Sequence, residues 1–196
     1  MRLPDKKFLR KSLRATRRNL PPAYREFAYK QALHRALGGG LFLKGHRWGF
    51  YLPTPEEFDA LPLLNQALHM GKACFVPVTA NRMAQPLRFA QLDGKHSLTH
   101  NRYGIVEPHG RKLLNARWLD VLLVPLVGFD NQGRRLGMGG GYYDATLAYL
   151  KTRKRWRRPV LIGLAFACQQ VPQIPAEPWD IRLDAVLTEN GLMLFQ

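Results

Sequence analysis

Apolar and polar positions change their period several times along the chain, and each change marks an element. From Pro4 to Leu20, Leu9 and Leu13 stand one helical turn apart. Arg10 and Arg14 repeat that interval on a neighbouring stripe, so the segment predicts a helix. Pro21-Pro22 breaks it and can open a second helix, because proline at the first helical position gives up no hydrogen bond. That helix runs to about Leu37, its Tyr24, Phe27, Ala28 and Leu37 fit an apolar face only loosely, and Gly38-Gly39-Gly40 ends it. Arg47 to Leu52 predicts a short strand stopped by Pro53, and Phe58 to Met70 a helix closed by Gly71. Ala73 to Val78 and Leu87 to Leu92 predict two more strands. Leu119 to Val127 is nearly all Leu and Val, with no polar face, as expected of a strand covered on both sides in a parallel sheet. A glycine-rich loop follows, then a helix from about Tyr142 to Lys151, a second wholly apolar strand from Val160 to Phe166, and short strands at Ala185–Leu187 and Leu192–Phe195.

Strands alternate with helices, which predicts an α/β fold. The expected architecture is a single three-layer α/β/α domain over residues 1–196, with an open, mostly parallel sheet and the N-terminal helices, about residues 4–37, packed on it. A chain of 196 residues suits one domain. It can bury about 70% of its unfolded surface, so it needs no disulfide or metal staple. Cys74 and Cys168 both lie in apolar runs and are expected as reduced core residues of a cytoplasmic protein. The first residues, MRLPDKKF, carry charge but no apolar signal core. The longest apolar runs, Val121–Phe129 and Val160–Cys168, are too short to span a bilayer, so no membrane association is expected.

Charge sharpens the picture. The formal net charge of +16 implies attraction to polyanions: nucleic acid, acidic membrane, or phosphorylated and carboxylated small molecules. Two runs concentrate it. Lys6 to Arg18 holds seven basic residues and no acid, and Lys151 to Arg158 holds six and no acid. Each run also reads simply as a solvated helix face or helix end.

The strongest candidate chemistry lies in RRLGMGGGYYD, Arg134 to Asp144, where Gly137, Gly139, Gly140 and Gly141 are four glycines in five positions. In an open α/β sheet ligands bind beyond the carboxyl ends of the strands, where this strand–loop–helix passage is expected. Glycines let successive N–H groups aim at one point and gather phosphate. The loop is not a Walker loop, since Tyr142 and Tyr143 stand where Lys and Ser or Thr are required. Its G-x-G-x-G spacing is not the dinucleotide fingerprint either. Asp144, expected as a surface residue of the first helical turn, is either a cap-region acid or a magnesium ligand beside bound phosphates. Tyr142 and Tyr143 either pack or stack on a planar ligand. His96 and His100 lack a third ligand and do not define a zinc site.

VPLVGFDNQGRRLGMGGGYYD resembles the signature of the 5-formyltetrahydrofolate cyclo-ligase (methenyltetrahydrofolate synthetase) family. RKSLR, YLPTPEEFD, GKACFVP, YGIVEP and WDIRLDAVLT fall in that family's order and rough spacing, over about residues 6 to 190. The resemblance implies a Rossmann-like fold of the kind also seen in sugar-phosphate isomerases and CoA transferases. It implies Mg2+- and ATP-dependent ring closure of 5-formyltetrahydrofolate to 5,10-methenyltetrahydrofolate, releasing ADP and phosphate. Carried over by position, ATP-binding falls on Arg10, Lys11, Arg14, Arg135, Gly137, Gly139, Gly140, Gly141, Tyr142 and Tyr143. Folate contacts fall on Leu52, Glu57, Gly141, Tyr142 and Tyr143, and magnesium on Asp144 and Asp180. Arg14, between ATP and folate, and Tyr143, common to both sets, are the catalytic candidates. Glu57 suits the donor edge of a pterin, since a carboxylate accepts two hydrogen bonds.

This chain departs from the family pattern at two places. Gly140 stands where many members carry a loop lysine, and Arg10 where they carry an N-terminal lysine. Expected partners are ATP and a folate, mono- or polyglutamylated, bound by a monomer, with nucleic acid secondary. The rival is an RNA-binding or ribosome-associated protein of the same fold that has lost ATP turnover. The charge and Gly140 favour it. Against it, only Phe8 and Trp156 interleave the basic runs with aromatic rings.

Overall fold

The computed structural model describes residues 5–78, 85–92, 113–152 and 159–195, and the backbone at 98–100 and 106–108. Pro4, His96 and the largely basic segment 153–158, with Trp156, lie outside the described residues, as does the side chain of His100. The helices are α1 (Lys6–Arg18), α2 (Pro22–Gly38), α3 (Leu61–His69) and α4 (Tyr142–Leu147). The strands are β1 (Arg47–Gly49), β2 (Ala73–Val78), β3 (Arg88–Leu92), β4 (Leu98–His100), β5 (Val106–Pro108) and β6 (Leu114–Asn115). They continue as β7 (Val121–Pro125), β8 (Gly128–Phe129), β9 (Arg135–Leu136), β10 (Val160–Leu164), β11 (Ala185–Thr188) and β12 (Gly191–Leu194).

Among the described residues eight strands form one sheet, ordered β12-β11-β10-β7-β1-β2-β3-β6. The central pairs β2·β1, β1·β7, β7·β10 and β10·β11 are parallel. Antiparallel β12 flanks one edge, and antiparallel β3 and β6 the other. Two small hairpins, β4·β5 and β8·β9, stand apart. Ranked along the chain, the parallel strands run 2-1-3-4-5 across the sheet. The strand order therefore reverses between β1 and β7, and a crevice opens there beyond their carboxyl ends.

Alternation along β7 accounts for its continuous apolar run. Val121 and Leu123 enter a core with Ala28, Ala32 and Ala36 of α2 and Leu63, Leu64 and Ala67 of α3. Leu122 and Val124 enter the opposite core with Leu147 of α4 and Leu150 of the 3-10 turn that follows it. All four β7 side chains are fully buried, so the expected three layers are present.

Several expectations are corrected. The buried face of α2 is the alanine stripe, and Tyr24, Phe27 and Leu37 are exposed. Residues this small at every fourth position let the helix lie close to the sheet, which larger rings would prevent. The ladder of β1 ends at Gly49 rather than Leu52, and α3 starts at Leu61 rather than Phe58. Pro53 and Pro55 disfavour helix between them, and the Tyr51 hydroxyl ties the segment by donating to the Phe58 carbonyl at 2.6 Å. The helix expected from Tyr142 to Lys151 is α-helical only to Leu147. Cys74 is buried as expected, but Cys168 is exposed, because it lies on a 3-10 turn, Ala167–Gln169, beyond the end of β10. Among the described residues no helix is long and apolar enough to cross a membrane.

A third apolar cluster seats α1. Leu9 and Leu13 pack with Val127, Leu136 and Ile174, at the mouth of the β8–β9 hairpin. The buried carboxylate of Asp130 fixes that hairpin. It accepts N–H bonds from Gln132 at 2.9 Å, Arg134 at 3.0 Å and Ile174 at 2.9 Å. Gly128 permits the close approach of α1, since a Cβ there would stand 2.5 Å from Leu13 Cδ1. Gly128→Ala should therefore cost about 1–3 kcal/mol of unfolding free energy. The double variant Gly128→Ala/Leu13→Ala should fall short of the summed single effects by about 0.5 kcal/mol or more in urea unfolding.

On the far side of α2, the Tyr24 hydroxyl donates to the buried Glu189 carboxylate at 2.6 Å. That bond, helped by burial, pushes the Tyr24 pKa up to about 12 from its ordinary 10.0. The proton is held more tightly in the folded protein, so the contribution is complete below pH 10 and is lost as pH rises through 12. The stability difference between the wild type and Tyr24→Phe should stay level up to pH 10 and shrink between pH 10 and 12, measured by denaturant unfolding.

Candidate functional site

A cavity of about 820 Å³ opens at the strand-order reversal, a size suited to small-molecule ligands. Tyr51, Leu52, Thr54 and Glu57 line it from the segment after β1, and Pro77 and Pro125 from the ends of β2 and β7. β9 contributes Arg135, and the loop Gly137–Gly141 with Tyr142, Tyr143 and Asp144 completes that side. Lys6 and Arg10 come from α1, Lys151 from the turn after α4, and Glu177, Trp179 and Asp180 from the segment before β11.

The loop is shaped by left-handed glycines, with φ 103° at Gly139 and 68° at Gly141. The α-helix that follows is only six residues long, so its dipole is small and side chains must supply most of the charge. Arg10 braces the loop by donating from Nε to the Gly137 carbonyl at 2.8 Å. Gly140 is not at positive φ, but a Cβ there would lie 3.0 Å from the Tyr142 ring. A side chain at position 140 would therefore require the Tyr142 ring to shift by a few tenths of an ångström.

Arg135, nearly buried, donates to Asp144 Oδ1 at 2.5 Å, and its guanidinium lies 5.6 Å from the centre of the Tyr143 ring. The Ile181 N–H reaches the same Asp144 oxygen at 3.4 Å, which ties Asp144 to the residue that follows Asp180. Asp180 Oδ2 accepts from Lys6 Nζ at 2.7 Å and from the Glu177 N–H at 2.8 Å. Lys151 donates to the Pro178 carbonyl. Burial, reinforced by the Glu57 charge and opposed by Arg135, raises the Tyr143 hydroxyl well above its ordinary pKa and keeps it a donor. Tyr51 is raised likewise, by burial first and then by Glu57.

The structure brings together on one cavity wall Arg10, Arg135, the loop glycines, Tyr142, Tyr143, Asp144, Asp180, Leu52 and Glu57. Two expected residues are not on it. Lys11 is exposed, and Arg14 donates to Glu56 at 3.4 Å. Arg17 at 3.6 Å and Arg18 at 2.6 Å gather on the same Glu56 carboxylate. Asp144, expected as a surface residue, is half-buried against Arg135.

Sequence reasoning missed Arg17, which is fully buried and donates to the Leu126 carbonyl at 3.3 Å. Burial lowers its pKa, while Glu57 and Glu56 pull it back. Its position was legible, because residue 17 continues the Leu9–Leu13 seam by one more turn. Lys6, Lys151 and the exposed Trp179 were also missed, and only their fold-dependent position in the cavity reveals them.

Among the described residues no group of three or more His, Cys, Asp or Glu could hold a metal ion by itself. Asp144 and Asp180, linked through the Ile181 N–H, are oxygen donors of the kind magnesium takes, one or two carboxylates with water and substrate phosphates completing the shell. Among the described residues the wall carries four basic side chains (Lys6, Arg10, Arg135, Lys151) and four acidic ones (Glu57, Asp144, Glu177, Asp180).

An open α/β sheet with a ligand-sized cavity at its order reversal, walled by a glycine loop and opposed charges, has the layout of an α/β enzyme. Residues 2–189 match the model of the 5-formyltetrahydrofolate cyclo-ligase family. The chain is 38% identical over 180 residues to 5-formyltetrahydrofolate cyclo-ligase of Escherichia coli (strain K12), covering 91% of this chain and 97% of that protein. It is 32% identical to the Mycolicibacterium smegmatis protein of the same name, covering 94% and 93%. The structure resembles that of Aquifex aeolicus 5,10-methenyltetrahydrofolate synthetase, with a TM-score of 0.80 and 28% identity over 97% of this chain and 93% of that one. The chain belongs to the 5-formyltetrahydrofolate cyclo-ligase family, as its six sequence blocks led one to expect.

Asp144→Asn should weaken the support of a nearly buried guanidinium, at a cost of about 1.5–3 kcal/mol in urea unfolding. Arg135→Gln combined with Asp144→Asn should be less destabilising than the two single effects added together.

Proposed function

We propose that this chain, acting as one domain, catalyses the Mg2+- and ATP-dependent closure of 5-formyltetrahydrofolate to 5,10-methenyltetrahydrofolate. One observation carries the reading: the braced glycine loop and the neighbouring Asp144 and Asp180 open into the same cavity as the Tyr51–Glu57 segment.

A formamide oxygen is a poor leaving group, and phosphorylation makes it a good one. The formyl oxygen takes the γ-phosphoryl group as its bond to ADP breaks. The second folate nitrogen then bonds to the formyl carbon, phosphate leaves with the oxygen, and that nitrogen gives up its proton. Phosphoryl transfer depends mainly on positioning and charge neutralisation. Loop N–H groups and Arg10 hold the phosphate chain. Asp144 and Asp180 would hold magnesium, which supplies neutralising charge at the transferring group. Glu57 accepts from the donor edge of the pterin, with Leu52 and Tyr142 against its faces. Tyr143, kept protonated, donates to oxygen as charge builds on it. Arg14 acts through Glu56, which steadies the segment carrying Glu57.

ADP and phosphate should appear in equal amounts with the methenyl product, and only when 5-formyltetrahydrofolate is present. ATP hydrolysis without folate, or no turnover with both, would overturn the reading. Arg10→Ala should weaken ATP binding by roughly 10- to 150-fold, the range for one charged hydrogen bond, with little change in folate affinity by calorimetry. Unchanged ATP affinity in the folded variant would remove α1 from the phosphate site.

A further inference from the structure

All four cations on the described cavity wall have acceptors within the protein. Arg10 holds the Gly137 carbonyl, Arg135 holds Asp144, Lys151 holds the Pro178 carbonyl, and Lys6 holds Asp180. A polyanion entering this wall is met either by donors a cation keeps spare or by a cation that changes partner. Arg10 can offer its remaining N–H donors while Nε still braces the loop, so it changes no partner, and Arg135 is nearly buried against Tyr143. Lys6 is free of such duties. It stands at the first residue of α1, its side chain is 18% exposed, and its only described bond is to Asp180, itself 23% exposed. An ammonium on a four-carbon stem can move to a new oxygen by bond rotations alone.

Asp180 is the other half of the pair, and it neighbours Asp144 through Ile181. A carboxylate on the cavity wall that loses its ammonium needs another cation, or its charge stays uncompensated at a cost. A metal–nucleotide complex brings both replacements at once: a divalent cation for Asp180 and a phosphate oxygen for Lys6. Either component alone leaves one partner stranded.

We propose that the Lys6–Asp180 ion pair is a latch opened by partner exchange. Asp180 passes from the ammonium to the metal, and Lys6 passes from Asp180 to a phosphate oxygen, which makes Lys6 a nucleotide-contacting residue. The exchange rests on the ATP reading above and adds a linkage to it: metal and nucleotide each bind better in the presence of the other. It also gives the loop, which has no lysine at Gly140, an ammonium delivered from a different element.

The test uses Mn2+ as the metal probe, with free Mn2+ followed by electron paramagnetic resonance, with and without a non-hydrolysable ATP analogue. The proteins are the wild type, Lys6→Gln and Lys6→Arg. Lys6→Gln should bind Mn2+ alone about tenfold more tightly, because Asp180 is released, and the Mn2+–analogue complex about tenfold more weakly, through loss of one charged hydrogen bond. Lys6→Arg should keep the wild-type order. Opposite signs in one variant would not arise from a merely structural role. If both affinities of Lys6→Gln fall together, or neither moves, in a variant with wild-type circular dichroism and melting temperature, the exchange is overturned while the ATP reading stands. If the wild type binds no analogue at any Mn2+ concentration, both are overturned. Should Lys6→Gln not fold, Lys6→Met is measured against the same criteria.

Discussion

A carboxylate sealed from water must be supplied with donors, and Asp130 is such a group. Burying an unpaired charge costs far more than a domain's net stability allows. Three backbone N–H groups converge on Asp130, two from its own turn and one from Ile174, a distant segment of the chain. Its satisfaction therefore locks the β8–β9 hairpin to the residues before β11. Much of the cavity hangs from that hairpin. Val127 and Leu136 form the seat of α1, and Arg135 points to Asp144 while its neighbour Arg134 turns toward Asp130. The glycine loop starts two residues later. A single buried charge thus sets the relative placement of helix, loop and carboxylates on which phosphate chemistry would depend.

Charge at this site is arranged by pairing rather than by excess. The chain is strongly basic, yet the described residues of its cavity wall are neutral by count. Off that wall, Arg14, Arg17 and Arg18 of α1 converge on Glu56. Glu56 is the residue before Glu57, so the arginines of α1 reach the cavity through a carboxylate and the backbone that follows it. Helix α1 and the Tyr51–Glu57 segment are joined electrostatically across 38 to 42 positions of sequence.

The layered architecture was legible because its signals are local. A strand with no polar face has to be buried on both sides, and β7 is. Four glycines before two tyrosines and an acid announce a backbone that something must approach closely. What stayed illegible depended on partners far along the chain. Helical spacing put Arg10 and Arg14 on one stripe, but Arg10 meets the Gly137 carbonyl and Arg14 meets Glu56. The seam of Leu9 and Leu13 runs on to position 17, but the acceptors that let Arg17 be buried there, the Leu126 carbonyl and Glu56, lie far along the chain. Large side chains in α2 suggested the buried face, whereas closeness to the sheet selected the small ones.

That choice in α2 sets the terms on which the sequence can drift. Ala28, Ala32 and Ala36 have no accessible surface, and the helix lies against β11 and β12 at the spacing their methyl groups allow. Each added carbon would have to lift a seventeen-residue helix or push into a strand. The packing leaves room at these three sites for glycine, serine and little else. Tyr24, Phe27 and Leu37, conspicuous in the sequence, face outward and are freer to vary, although Tyr24 is tied to Glu189. Over evolutionary time this helix should hold still where its residues are plainest and change where they are most eye-catching.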